Sequence, residues 1–175
     1  MAEPIRLNLG SGDTHIGGFI SVDKYDLQAD VKADICALPY GDESVEEIVA
    51  YQVIEHIPYH QTGDMFKEMY RVLQPGGIMT TECPDLEYIA RQIVATGRSS
   101  DIRSIYGEYN RPWDVDRYGE DALFLPGGIH YNGFTLRDLR DIADELGFDI
   151  QRLEKDMCKI KDDANLGVRW YKPAS

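Results

Sequence analysis

Leu7-Asn8-Leu9-Gly10-Ser11-Gly12, followed shortly by Phe19-Ile20-Ser21-Val22-Asp23, is the stretch on which the reading of this chain turns. One short apolar run ends in a Gly-x-Gly turn and the next ends in an acid. Glycines let a backbone approach a ligand closely, and a carboxylate at the following strand end can accept the protons of both ribose hydroxyls. That order suits a nucleoside-bearing ligand. The turn alone is not specific. A dinucleotide fingerprint needs glycine at position 15, where His15 stands, and a P-loop needs a Gly-Lys-Ser/Thr that is absent. The hydrolase elbow G-x-S-x-G fails because Leu9 sits two before Ser11.

Outward from this stretch, strand-like runs alternate with helical ones. Residues 6–9, 18–22 and 31–35 read as short strands and 47–53 as a fourth. Residues 61–73 have helical periodicity, with Met65, Met69, Val72 and Leu73 on one face, and Pro75-Gly76-Gly77 stops that helix. A fifth strand over 78–83 is ended by Pro84-Asp85, and 86–95 is a second amphipathic helix. Thr135 caps a third helix over 135–146, with Asp138 three residues later and Gly147 ending it. The last two strands, 148–153 and 166–171, are joined without a convincing helix, so an antiparallel hairpin is expected. The alternation implies an α/β fold with a mainly parallel sheet. The links 10–18 and 24–30 are shorter than the roughly 10–12 residues a parallel crossover needs, so the first crossover helices are expected to be reduced to loops or single turns. Residues 98–134 carry Tyr106, Tyr109, Trp113, Tyr118, Phe124 and Tyr131 among charges and glycines. Such a segment reads as a lid or substrate insertion, or as cover for a sheet face left bare by the missing helices.

Composition narrows the partners. The 175 residues suit one domain with a real core, and the net charge of −13 opposes phosphate backbones and anionic membranes, so duplex nucleic acid is not expected. The cysteines Cys36, Cys83 and Cys158 form no C-x-x-C pair, which favours neither a disulfide framework nor a zinc knuckle. Cys36 and Cys83 lie in strand-like runs and are expected in the core. There is neither a signal-peptide pattern nor an apolar run long enough to cross a membrane, and a cytoplasmic setting is expected.

Taken together, five pieces are far more specific than any one. Leu7–Gly12 is followed by Val22-Asp23 and then by Ala33-Asp34-Ile35-Cys36-Ala37-Leu38-Pro39-Tyr40. After these come Val53-Ile54-Glu55-His56-Ile57 and Tyr70-Arg71-Val72-Leu73-Gln74-Pro75-Gly76-Gly77. This series resembles the class I S-adenosylmethionine (SAM)-dependent methyltransferases, and most of all the small single-domain type with an N-L-G-x-G start and a V-L-E-H-I-like core. The match is dense over 5–85 and looser through His130–Thr135, Leu146-Gly147-Phe148 and the last strand. The resemblance implies a Rossmann-like α/β methyltransferase fold: a mainly parallel seven-stranded sheet with an antiparallel last strand. It implies one domain over 1–175, SAM as cofactor and S-adenosylhomocysteine (SAH) as product. By the same resemblance Leu9, Gly10, Ser11 and Gly12 form the cofactor turn, with Gly10 and Gly12 under the methionine part. Asp23 would take the ribose hydroxyls, Asp34 the adenine amino group and the Ile35 backbone the adenine ring. Tyr51 and Gln52 would stand near the sulfonium and the acceptor. The chain departs from the wider family at Asn8, where many members have an acid, at Thr14, where many have a third glycine, and in the short helix-poor link after the first motif.

Gln52-x-x-Glu55-His56 invites a second comparison. A related group with E-x-x-E-H, including ubiquinone-type and small-RNA O-methyltransferases, binds a divalent metal there with a further histidine. Here Gln52 replaces the first acid, and His130 or the nearer His60 would have to complete the set. Glu55 and His56 are instead expected to organise the start of the next helix, with no metal. Methyl transfer asks the protein mainly to align the acceptor and exclude water, and a base is needed only for a protonated acceptor. The catalytic residue is unassigned, with His56, His130, Tyr51 and Tyr131 as candidates. The expected acceptor is a small molecule or a sugar-bearing compound, and no N/D-P-P-Y/F/W motif for DNA amino-methylation follows the fourth strand. The alternatives are a SAM- or SAH-binding protein that transfers no methyl group, and a metal-assisted O-methyltransferase. Homodimerisation is one way to bury a sheet face exposed over the first strands.

Overall fold

The structure, a computed structural model, describes residues 3–97, 105–106, 129–161 and 163–174. In chain order they form β1 (Arg6–Leu9), β2 (Ile20–Asp23), β3 (Val31–Lys32), β4 (Val45–Tyr51), α1 (Tyr59–Val72), β5 (Leu73–Pro84), α2 (Leu86–Thr96), α3 (Leu136–Leu146), β6 (Asp149–Arg152) and β7 (Asn165–Tyr171). One seven-stranded sheet runs in the order β3-β2-β1-β4-β5-β7-β6. Strands β1 to β5 are parallel, and β7 runs antiparallel to both β5 and β6. No helix intervenes between β1 and β2 or between β2 and β3, as the short links require. The α/β methyltransferase-type sheet with its antiparallel last strand is therefore present.

Burial explains the centre of the sheet. Val45, Ile48, Val49 and Ala50 of β4 are all buried, as expected of a strand covered on both faces. Helix α1 lays Met65, Phe66, Met69 and Val72 onto one face. There Phe66 and Phe148 flank Trp170, with ring centroids 5.1 and 5.5 Å from it, and the indole N–H donates to Thr81 Oγ1 at 2.9 Å. The buried Lys172 ammonium donates to the Tyr70 and Leu73 carbonyls at 3.0 and 2.8 Å, closing the carboxyl end of α1 where a cation is favoured.

Three expectations need correction. Strand β3 is two residues long rather than 31–35, because Asp34 turns the chain. Its Oδ1 accepts the Cys36 N–H at 2.9 Å and its carbonyl accepts the Ala37 N–H at 2.9 Å, an Asx-type turn. Cys36 consequently sits half-buried in a turn, whereas Cys83 is buried in β5. The proline-glycine pair does not separate α1 from the next strand. The helix ends at Val72, and Pro75-Gly76-Gly77 lies within β5 opposite a register shift between Val45 and Glu47. A Cβ on Gly77 would stand 2.8 Å from the Gln74 carbonyl and 3.0 Å from that of Glu46. The two strands therefore approach too closely there for any side chain.

Candidate functional site

The carboxyl ends of β1, β2, β4 and β5 share one edge of the sheet, where open parallel sheets place ligands. Leu9 ends β1 in the core, and Gly10 turns away with φ +59°. A Cβ on Gly10 would stand 2.5 and 2.7 Å from the Val53 methyl carbons, so the turn is pressed against the segment after β4. Gly12 also has positive φ, +47°. Its N–H donates to Asp23 Oδ2 at 3.1 Å, while Asp23 Oδ1 accepts from the Tyr25 and Asp26 amides at 2.8 and 2.9 Å. Asp23 thus ties the two loops together, and a carboxylate oxygen with one accepted bond retains capacity for a hydroxyl. Asn8 serves the fold: its side-chain amide donates to the Thr14 carbonyl at 2.7 Å. Ser11 is buried, and its Oγ has no hydrogen-bond partner among the described residues.

On the β3 side, Asp34 Oδ2 accepts from Lys24 Nζ at 2.7 Å. Burial works to raise its pKa, but the Lys24 ammonium and the Cys36 amide outweigh that and hold the carboxyl below its usual value. Ile35 is buried beside it. Tyr51 ends β4 half-buried. Gln52 follows with φ +57°, its N–H donating to the Glu82 carbonyl at 2.7 Å and its Nε2 to Asn165 Oδ1 at 2.9 Å.

Glu82, unforeseen from the sequence, is the hub of this end. It is buried at the carboxyl end of β5. Its oxygens accept from Lys159 N (2.5 Å), Ile160 N (3.0 Å) and Asn165 Nδ2 (3.1 Å). The β6–β7 loop is thereby drawn over the strand ends, and Lys159 Nζ reaches Thr14 Oγ1 at 3.3 Å and lies 5.0 Å from the Tyr51 ring centroid. The only sequence signal was one acid in the otherwise uncharged run Thr80-Thr81-Glu82-Cys83-Pro84.

A second cluster forms beside it. Ile54–His56 is a single 3-10 turn before α1, and the segment after residue 128 docks on it. The Tyr131 and Asn132 amides donate to the Glu55 carbonyl at 2.8 and 3.1 Å, and the Asn132 side chain donates to the Ile57 carbonyl and Thr62 Oγ1. This brings one ligand atom each of Glu55, His56 and His130 within 4.8 Å of one another. The imidazoles meet edge to face, centroids 4.8 Å apart. His56 Nδ1 lies 2.9 Å from the Ile129 carbonyl, so that nitrogen carries the proton and Nε2 keeps its lone pair. Glu55 is 1 % exposed, and neither carboxylate oxygen has a partner among the described residues. Burial pushes its pKa up to about 8. Burial, opposed by the Ile129 carbonyl and helped by His130, lowers His56 to about 4. The expectation that these side chains organise α1 is not met, since the helix begins after Pro58 with no side-chain cap. His60 lies apart, exposed and beside Gln61, and Tyr131 is exposed.

The expected lid over 98–134 lies outside the described residues except for 105–106 and 129–134. A depression of about 550 Å3 between the Asp34 turn and α1 shares only Asp34 with the residues expected to hold a cofactor, and its charged, open walls make it ordinary surface. No helix among the described residues is long and apolar enough to cross a membrane.

Comparison with known proteins agrees with this geometry. A family model described as a methyltransferase domain matches residues 18–81. The whole chain superposes on SAM-dependent methyltransferases. One from Thermotoga maritima is 17 % identical with a TM-score of 0.59, covering 98 % of this chain and 84 % of that one. One from Methanosarcina mazei is 13 % identical with a TM-score of 0.62, covering 100 % and 95 %. A Burkholderia thailandensis 1,6-didemethyltoxoflavin-N1-methyltransferase, solved with its substrate and SAH, is 14 % identical with a TM-score of 0.56, covering 98 % and 72 %. No curated protein sequence matches the chain. The chain thus has the fold of SAM-dependent methyltransferases.

Proposed function

We propose that the chain methylates a small-molecule acceptor at the edge formed by β1, β2 and β4. The observation that carries this is the glycine turn. Gly10 is packed too tightly on Val53 for any side chain, and Gly12 is tied to Asp23, leaving bare backbone beside a carboxylate. That cradle fits a nucleoside with an amino-acid arm, and SAM supplies an electrophilic methyl group when bound there. The residues of the chain then bind and orient. Asp23 Oδ2 has capacity for a ribose hydroxyl, and Asp34 with the Ile35 backbone borders the expected adenine position. Tyr51 and Gln52 flank the approach of the acceptor. His56, half-buried and with an unprotonated Nε2, and His130 beside it are the candidate groups to receive an acceptor proton. The superposable enzyme with bound 1,6-didemethyltoxoflavin supports the small-molecule class, as does the net charge of −13. Residues 98–134 are proposed as the cover over that acceptor.

Calorimetry with SAM and SAH tests the cofactor. Micromolar binding that Asp23→Ala weakens is expected, and no heat with either ligand rejects the proposal. Release of SAH with a panel of phenols, amines and sugars tests transfer itself. Binding without any turnover would favour a SAM-binding protein that transfers nothing.

One observation favours a second reading, metal-assisted O-methylation. A buried carboxylate with two unpartnered oxygens faces two imidazoles, one already oriented through Nδ1, and this donor set suits a divalent transition metal. Gln52 does not join it, being held by Asn165. A metal there would lower the pKa of a hydroxyl acceptor. Zinc, cobalt or manganese titration of the wild type and Glu55→Gln decides: stoichiometric binding lost in the variant supports the reading, and EDTA-insensitive turnover with no bound metal removes it.

A further inference from the structure

Several cations of this acidic chain are held in ion pairs. Lys24, Arg71, Arg152, Lys155 and Lys172 each reach a carboxylate within 3.4 Å. Lys159 is held differently. Its backbone N–H is clamped by the buried Glu82, whose oxygens are taken up by three neutral donors and do not touch the ammonium. The ammonium itself rests on neutral partners, Thr14 Oγ1 at 3.3 Å and the Tyr51 ring at 5.0 Å. It therefore bridges the loop that contains the glycine turn and the end of β4, a positive charge beside the strand ends that carry Asp23 and Glu82. Among the described residues, an anion brought there meets the Lys159 ammonium.

We infer that Lys159 is the residue that binds the α-carboxylate of the methionine arm of SAM and SAH. This rests on the cofactor reading above. The bare backbone at Gly10 and Gly12 accommodates the arm, and its carboxylate is the one anionic group of the ligand. A charge-assisted hydrogen bond from a lysine held by neutral groups forms without first breaking an ion pair. The buried Glu82 clamp fixes the lysine backbone, so little chain entropy is lost on binding. Thr14 supplies the hydroxyl on which the ammonium waits.

The test is calorimetry of the full chain with two ligands, SAH and 5′-methylthioadenosine, which keeps adenine, ribose and sulfur but lacks the amino-acid arm. Lys159→Met should weaken SAH about 10- to 100-fold and leave methylthioadenosine within about twofold. Lys159→Arg should restore most of the SAH affinity, and rising salt should weaken SAH for the wild type more than for Lys159→Met. Equal losses for both ligands would show a structural latch and overturn the assignment, as would unchanged SAH affinity. If wild-type protein binds methylthioadenosine but Lys159→Met leaves SAH unaltered, only the lysine assignment fails. If it binds neither ligand, the cofactor reading fails, and this assignment with it.

Discussion

Gly10 shows how one position can serve both fold and ligand. A methyl group there would meet the short, stiff Val53 side chain at 2.5 Å in a left-handed backbone. Gly10→Ala should therefore cost about 1–3 kcal/mol in chemical denaturation and reduce SAH binding further. Glu55 makes a different demand. Its folded pKa of about 8 lies above that of an unfolded carboxyl, so the folded state holds the extra proton, and this group's penalty grows as pH rises towards 8. His56, lowered to about 4, acts oppositely: the unfolded state takes the proton, and stability is gained as pH rises from about 4 to 6.5. Above pH 6.5 only the glutamate remains. Metal-free protein should lose about 2 kcal/mol between pH 6.5 and 8, and Glu55→Gln should flatten that limb in urea titrations.

The elements were legible where local chemistry decides them. The third helix carries its own signals: Thr135 Oγ1 accepts from the Asp138 amide, Asp138 Oδ2 accepts from the Thr135 amide at 2.7 Å, and Gly147 closes the end at φ +83°. Thr135→Ala should cost about 1 kcal/mol in denaturant melts with no change in SAH affinity. The β-hairpin at the end was legible from a connection without a helix to carry a crossover. The proposed cofactor residues Gly10, Gly12, Asp23 and Asp34 rest on spacing that repeats a known pattern. Glu82 and Lys159 were not legible, because their meaning depends on a contact across 77 or 145 positions of chain. The meeting of Glu55 and His56 with His130 depends likewise on how the segment near Asn132 docks, which no periodicity reports. The overlong reading of β3 has a local cause: an apolar pattern outweighed the turn-forming Asp34.

At the scale of the molecule, the sheet is unequally dressed. Helix α1 and the aromatic group around Trp170 stand over its middle, whereas β2 and β3 follow one another without a helix, and β3 ends the sheet with two residues. The nucleoside is proposed to bind on this side, which among the described residues carries no crossover helix. The amides there should open to solvent by small local fluctuations, while those of β4 and β5 exchange only with near-global unfolding. Hydrogen–deuterium exchange should show residues 20–35 labelling much faster than 45–51 and 78–83, with SAH slowing the first group and barely altering the second. Equal protection in the two groups without ligand would contradict this. If the nucleoside binds as proposed, the omission of two crossover helices makes the ligand part of the architecture: it would stand in for a missing layer and quiet the edge where it binds.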